Sequence, residues 1–161
     1  MALTSQQLQT LKTDINANTA SYPGAIAQRD GNTIAAFYNA AASPAFTVWK
    51  SMVSINLIGK SFDNAELAGL TTANQGRLQT LAMYLAGGVD PSQATNRAFF
   101  DDIFSGAGGT NTRAKLLTLW KRLSTRGEKL FASGTGSDAV PATLVVEGNL
   151  TGQNILDALD S

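Results

Sequence analysis

The stretch Thr112-Arg113-Ala114-Lys115-Leu116-Leu117-Thr118-Leu119-Trp120-Lys121-Arg122-Leu123-Ser124-Thr125-Arg126-Gly127-Glu128-Lys129-Leu130-Phe131-Ala132 decides how this chain reads. Wound at ~100° per residue, Leu116, Leu119, Trp120, Leu123, Leu130 and Phe131 gather on one side, while Lys115, Arg122, Arg126 and Lys129 fall within a separate arc of ~60°. The pattern predicts one long helix with a core face and a basic stripe. Only Glu128 is acidic in the segment, so the cations lack acidic partners one turn away. The stripe can be a solvated outer face, a set of phosphate contacts to DNA, or a dock for an acidic protein surface. Four aligned cations on a chain of zero net charge are few for a nucleic-acid binder, which favours the protein partner.

Upstream, shorter helices are expected. Thr4 to Gln7 reads as a capping box that opens a helix carrying Leu8, Leu11 and Ile15 and ending near Asn18. A loop over 19–32 leads to a short helix with Ile34, Phe37 and Tyr38, closed by Ser43-Pro44. Residues 45–53 read as an extended segment leading into a helix near 54–60, and Asp63 can cap a turn running to Leu70. Thr72 is expected to cap a helix with Leu78, Leu81, Ala82 and Leu85 inward and Gly87-Gly88 as its stop. Asp90-Pro91-Ser92 opens another with Ala98, Phe99, Ile103 and Phe104 apolar. Phe99 and Phe100 cannot both face one core.

After Ala132 the composition changes. Residues 133–161 hold four acids, no cation and the glycines Gly134, Gly136, Gly148 and Gly152. Leu144, Val145 and Val146 lie in a strand-like run, Ala142–Glu147, and Thr151 with Asn154 can start a short helix bearing Ile155, Leu156 and Leu159. A lone strand needs a neighbour, either the 45–53 segment or another chain. The expected fold is therefore mainly α: a helical bundle over residues 1–132, with 133–161 as a C-terminal extended arm of hinge, short strand and short terminal helix. Partner contacts are expected at Lys115, Arg122, Arg126, Lys129, Leu144, Val145, Val146, Ile155, Leu156 and Leu159.

The chain has neither cysteine nor histidine, which removes disulfides, thiolate nucleophiles, zinc fingers and histidine-based triads. Gly59-Lys60-Ser61 resembles the end of a phosphate-binding loop, but position 54 is serine where that loop needs glycine. Adjacent Asp101 and Asp102 diverge on a helix and are poorly placed to flank one bond. No catalytic residue, cofactor or metal is expected. No apolar run approaches the ~20 residues of a membrane span, and the start lacks the basic and apolar regions of a signal peptide. The chain is thus expected to stay in the cytosol until assembled. Its 15% of charged residues suits a surface covered by other subunits, though a plain soluble protein can look the same.

Three segments carry a resemblance: Leu3-Thr4-Ser5-Gln6-Gln7-Leu8, the run from Ala42 to Lys50 (ASPAFTVWK), and the run from Lys121 to Phe131 leading into Ala132-Ser133-Gly134-Thr135-Gly136-Ser137. Together they resemble virion structural proteins of tailed bacteriophages, of the head–tail adaptor (neck, connector) type. The resemblance implies a homo-oligomeric, dodecameric ring on the portal protein, with a head-completion or tail protein as the other partner. DNA would pass through the channel without sequence-specific binding. It implies a place in the virion neck, assembled in the host cytoplasm, with extended termini that embrace the portal or the next ring. On this expectation, deleting residues 134–161 leaves a folded body unable to attach. Another virion protein (tail or capsid-associated) and a small terminase subunit using the basic stripe are the alternatives; an enzyme such as a cell-wall hydrolase has least to recommend it.

Overall fold

A computed structural model describes residues 2–84 and 87–161, and the chain is mainly α-helical. The inward placing expected for the side chains of Ala82 and Leu85 lies outside the described residues. The helices are α1 Ser5–Ala17, α2 Gly31–Asn39, α3 Ile55–Ser61, α4 Asn64–Ala68, α5 Thr72–Tyr84, α6 Ala94–Ile103, α7 Thr110–Trp120, α8 Arg126–Phe131 and α9 Gly152–Asp160. Strands β1 Thr47–Trp49 and β2 Lys121–Leu123 form a two-stranded sheet. The terminal helix and the extended 47–49 segment are as expected.

The long helix is not one helix. Helix α7 ends at Trp120, β2 follows, and α8 restarts at Arg126. The restart has a local cause. Thr125 accepts from the Glu128 N–H while the Glu128 carboxylate accepts from the Thr125 N–H at 3.0 Å, a complete capping box. Lys121–Leu123 has a strand to pair with, which replaces the helical hydrogen bonds it gives up.

The chain divides at two other places than expected. One compact unit contains the residues up to Val48 together with Leu123–Ser161; the other is the continuous stretch Trp49–Arg122. Residues 133–161 belong wholly to the first, so the expected boundary after Ala132 is not a boundary of the fold.

In unit 1, α9 packs against both α1 and α2. Leu11 and Ile15 from α1, Ile34 and Tyr38 from α2, Phe131 from α8, and Leu150, Ile155 and Ala158 from the C-terminal segment share one buried cluster. Helices α2 and α9 meet through glycine: a Cβ on Gly31 would strike the Gly152 backbone, and one on Gly152 would strike Asn32. The two N-termini approach this closely because neither carries a side chain there.

In unit 2, α3 packs on α7, and Ile58, Val89, Phe100, Ile103, Phe104, Leu116 and Trp120 form a separate buried cluster. Phe100 is buried, while Phe99 is half-buried with the Arg77 guanidinium 5.0 Å from its ring centre. The Glu66 carboxylate from α4 accepts the backbone N–H groups of Asn111 and Thr112, both at 2.8 Å. It thereby satisfies two of the free donors at the start of α7, a remote cap supplied by α4. Thr112 is fully buried, its hydroxyl accepting from the Asp63 N–H at 3.0 Å.

Candidate partner-binding site

The expected basic stripe needs a continuous helix, and the break at Trp120 removes it. Lys115 is on α7 and Arg122 on β2, both in unit 2, while Arg126 and Lys129 are on α8 in unit 1. Lys115, Arg126 and Lys129 are each engaged within their own unit. The Lys115 ammonium lies 3.6 Å from the Asp63 carboxylate. Arg126 donates to the Phe37 carbonyl at 3.2 Å and sits 4.3 Å above the Phe37 ring centre. Lys129 lies 5.6 Å from the Phe46 ring centre. Cations over rings are held by the quadrupole of the aromatic face and keep their apolar stems packed. These contacts explain much of the basic character of the segment without a partner.

The C-terminal residues part company. Ile155 is fully buried, and Val146 is buried with Leu150 and Ala158 beside it, so Ile155 and Val146 are core, not docking residues. Leu156 and Leu159 are half-buried, Leu159 against the same cluster. The expected strand through Leu144, Val145 and Val146 is absent; pairing is confined to Ala142 with Val48 and Thr143 with Ser133. Ala142 donates to the Thr47 carbonyl at 2.9 Å, Thr47 to the Gly136 carbonyl at 2.7 Å, and Asn39 exchanges two 2.8 Å hydrogen bonds with the Leu150 backbone. The Glu128 carboxylate also accepts from the Gly148 N–H at 3.0 Å, so the α8 cap and the C-terminal segment share one buried acid. The neighbour the lone strand required is its own unit.

What this stitching leaves outside is specific. Between Ser133 and Thr151 the chain has no helix and turns on Gly134, Gly136 and Gly148, all at positive φ. It presents Val140 at 58% exposure and Val145 at 66%, while Ala142 and Val146 on either side are buried. Leu123, at 63%, is a further large apolar side chain exposed on unit 1. Leu144 is half-buried. Of the expected C-terminal site residues Val145 thus has the most apolar surface to offer, half-buried Leu144, Leu156 and Leu159 have less, and Val140 is an exposed one outside the expected set. Its signal was available: it precedes Pro141, which holds the preceding residue extended.

Unit 1 also has a groove of about 410 Å³ lined by Asp14, Phe37, Tyr38, Arg126, Lys129 and Leu130, among others. The Tyr38 hydroxyl donates to Asp14 at 2.6 Å, and burial first, then this bond, hold the phenol protonated well above its ordinary range. Asp14 also accepts from the Asn18 amide at 3.1 Å. Among the described residues no cluster of three or more acids that could hold a metal ion occurs, and no helix is long and apolar enough to cross a membrane. Gly59-Lys60-Ser61 forms the end of α3, in helix and not in a phosphate-cradling loop.

Set against known protein families, curated proteins and solved structures, the chain matches none. What fold and site define is a mainly α-helical protein of two compact units with an anchored, apolar-bearing C-terminal segment.

Proposed function

We propose that the chain is a structural head–tail adaptor of a tailed bacteriophage, a non-catalytic neck protein that forms a ring on the portal and connects it to the tail. The observation that carries this reading is the pair of exposed valines, Val140 and Val145, on a segment whose intervening residues are tied down. A surface that holds apolar side chains out on an anchored, glycine-turned loop suits contact with another protein chain, because the ordering cost is already met within the monomer. The resemblance of the Leu3–Leu8, Ala42–Lys50 and Lys121–Ser137 segments to adaptor-type virion proteins supplies the particular assembly. Docking here needs no swinging arm. A ring repeats one modest contact around a closed circle, which makes a firm join from small surfaces.

The test is the double variant Val140→Asp/Val145→Asp, mixed with purified portal and weighed by native mass spectrometry. Both side chains are exposed, so the variant keeps the thermal melt of the parent. The parent forms a discrete portal-bound ring and the variant does not. A variant that joins the portal as well as the parent removes the carrying observation, and a parent that stays monomeric and indifferent to portal removes the reading.

A further inference from the structure

Unit 2 contains a recess of about 350 Å³ that the adaptor reading does not use. Its walls include Trp49, Trp120 and Leu117, and its polar lining is Arg97, Arg113 and Asp101. Arg97 lies over Trp49, 4.1 Å from the ring centre, and one of its nitrogens donates to the Pro91 and Ser92 carbonyls, the latter at 3.0 Å. Arg113 is tethered likewise, donating from one nitrogen to the Phe104 carbonyl. A guanidinium has five N–H donors. Each arginine is therefore fixed at one end and keeps further donors with no acceptor among the described residues. Among the described residues neither arginine has an ion-pair partner within bonding distance, and burial lowers the pKa of Arg97 despite Asp101 and Asp90 nearby. Trp120 is 2% exposed and its indole N–H is buried without an acceptor among the described residues, so the accessible donors of the recess are those of the two arginines. The recess thus has more donors than acceptors, and two cations against one acid.

From these features we infer that the recess binds a carboxylate on an extended partner peptide, with a flanking apolar side chain against Leu117 and the Trp49 face. A carboxylate matches the planar fork of a guanidinium, and an arginine already held in place loses little freedom on binding it. Leu117 is 44% exposed and offers apolar surface at the mouth. A nucleic-acid backbone fits less well. It would need several cations spaced along a path, whereas this recess has two, with Asp101 beside them. The site is in unit 2 and concerns a second contact, so its failure leaves the unit 1 surface untouched.

The chain's only two tryptophans, Trp49 and Trp120, both line the recess, so intrinsic fluorescence reports on it directly. The probes are the blocked peptide acetyl-Ala-Leu-Glu-Leu-Ala-amide, its glutamine counterpart, and inorganic phosphate, titrated into the full chain. The glutamate peptide gives a saturable change, and the glutamine peptide binds about tenfold more weakly or less, the scale of a hydrogen bond to a charged group. Phosphate at the same concentrations gives no saturable change. Arg97→Lys keeps the charge, loses the fork and weakens the glutamate peptide. Asp101→Asn, at an exposed position that leaves the fold intact, tightens it by about two- to fivefold, the scale of one exposed charge pair. No saturable response to the glutamate peptide, equal binding of the two peptides, phosphate matching the peptide, or an Asp101→Asn variant that binds no tighter would each overturn the assignment.

Discussion

The two units are built by opposite routes. Unit 2 is one continuous stretch, Trp49–Arg122, whose core closes from neighbouring helices and a remote cap from Glu66. Unit 1 joins the two ends of the chain, and its core is complete only when α9, Leu150 and Val146 arrive from beyond residue 145 to meet α1 and α2. A continuous unit needs only short loops to close. A discontinuous one has to close a long loop before its contacts reward it. The difference teaches that a segment of arm-like composition can be the keystone of a core, because three of the glycines that give it that look, Gly134, Gly136 and Gly148, occupy the turns between its anchors.

The largest expected break of this comparison comes from the C-terminus. Truncation after Ser133 takes Val146, Leu150, Ile155 and Ala158 out of the unit 1 core, so it unfolds that unit instead of leaving the attachment-deficient body that an arm implies. In the full chain, Ile155→Ala costs about 2–5 kcal/mol, the range for emptying a buried aliphatic site. Chemical denaturation followed by circular dichroism reads this, and limited proteolysis shows cutting in unit 1 before unit 2.

A smaller contrast concerns glycine. Gly152→Ala places a methyl group against Asn32, so it destabilises unit 1 by about 1–3 kcal/mol, as overpacking does. Gly76→Ala on α5 meets no atom within 4 Å, and in a helix interior alanine is better than glycine by about 1 kcal/mol. The two substitutions therefore move thermal melting in opposite directions. Melting temperatures moving the same way would show that the α2–α9 approach is looser than described.

The smallest effect separates the units by pH. Partial burial pushes the Glu66 carboxyl up, but the backbone N–H groups of Thr112 and Asn111 outweigh it and hold the group below its usual range. Asp63 is lowered too, chiefly by the Glu66 N–H and then the Ala65 N–H. A depressed carboxyl stabilises the fold above its unfolded pKa, and that contribution is lost as pH falls through the depressed value. In unit 1, burial raises Tyr38 and Tyr22. Their contribution is present below the ordinary phenol pKa and is lost as pH rises beyond it. Asp30 and Asp160 in unit 1 are held low as well, by Thr33 and Arg29, so acid loosens both units, unit 2 through Glu66 and Asp63, whereas alkali loosens unit 1 through the tyrosines. Glu66→Gln makes the acid limb of a stability–pH curve shallower by the Glu66 share and leaves the alkaline limb unchanged; a change in both limbs would contradict the assignment.

Much of the helical layout was legible because its signals are local. The Thr4–Gln7 capping box, the Asp63 cap and the Thr151–Asn154 cap each name a helix start that the fold uses. The break after Trp120 was written in the same language, as Thr125 with Glu128 three residues on, but an uninterrupted apolar period across the junction reads as one helix. Periodicity cannot report that Lys121–Leu123 has a strand partner in β1, some seventy residues away. The same blindness hid the candidate sites. Whether Val145 faces out and Val146 in depends on anchors at Val48 and Ser133, and the Arg97–Trp49 stack joins residues far apart in the chain.

The central claim is that residues 133–161 grip their own unit, and amide hydrogen exchange on α9 tests it most directly. The account predicts that the amides of Ile155 to Ala158 exchange as slowly as those of α2, because both helices open only when the unit 1 core opens. Exchange of α9 at the rate of an unstructured chain, with α2 still protected, would contradict it and return the C-terminal segment to the role of a free arm.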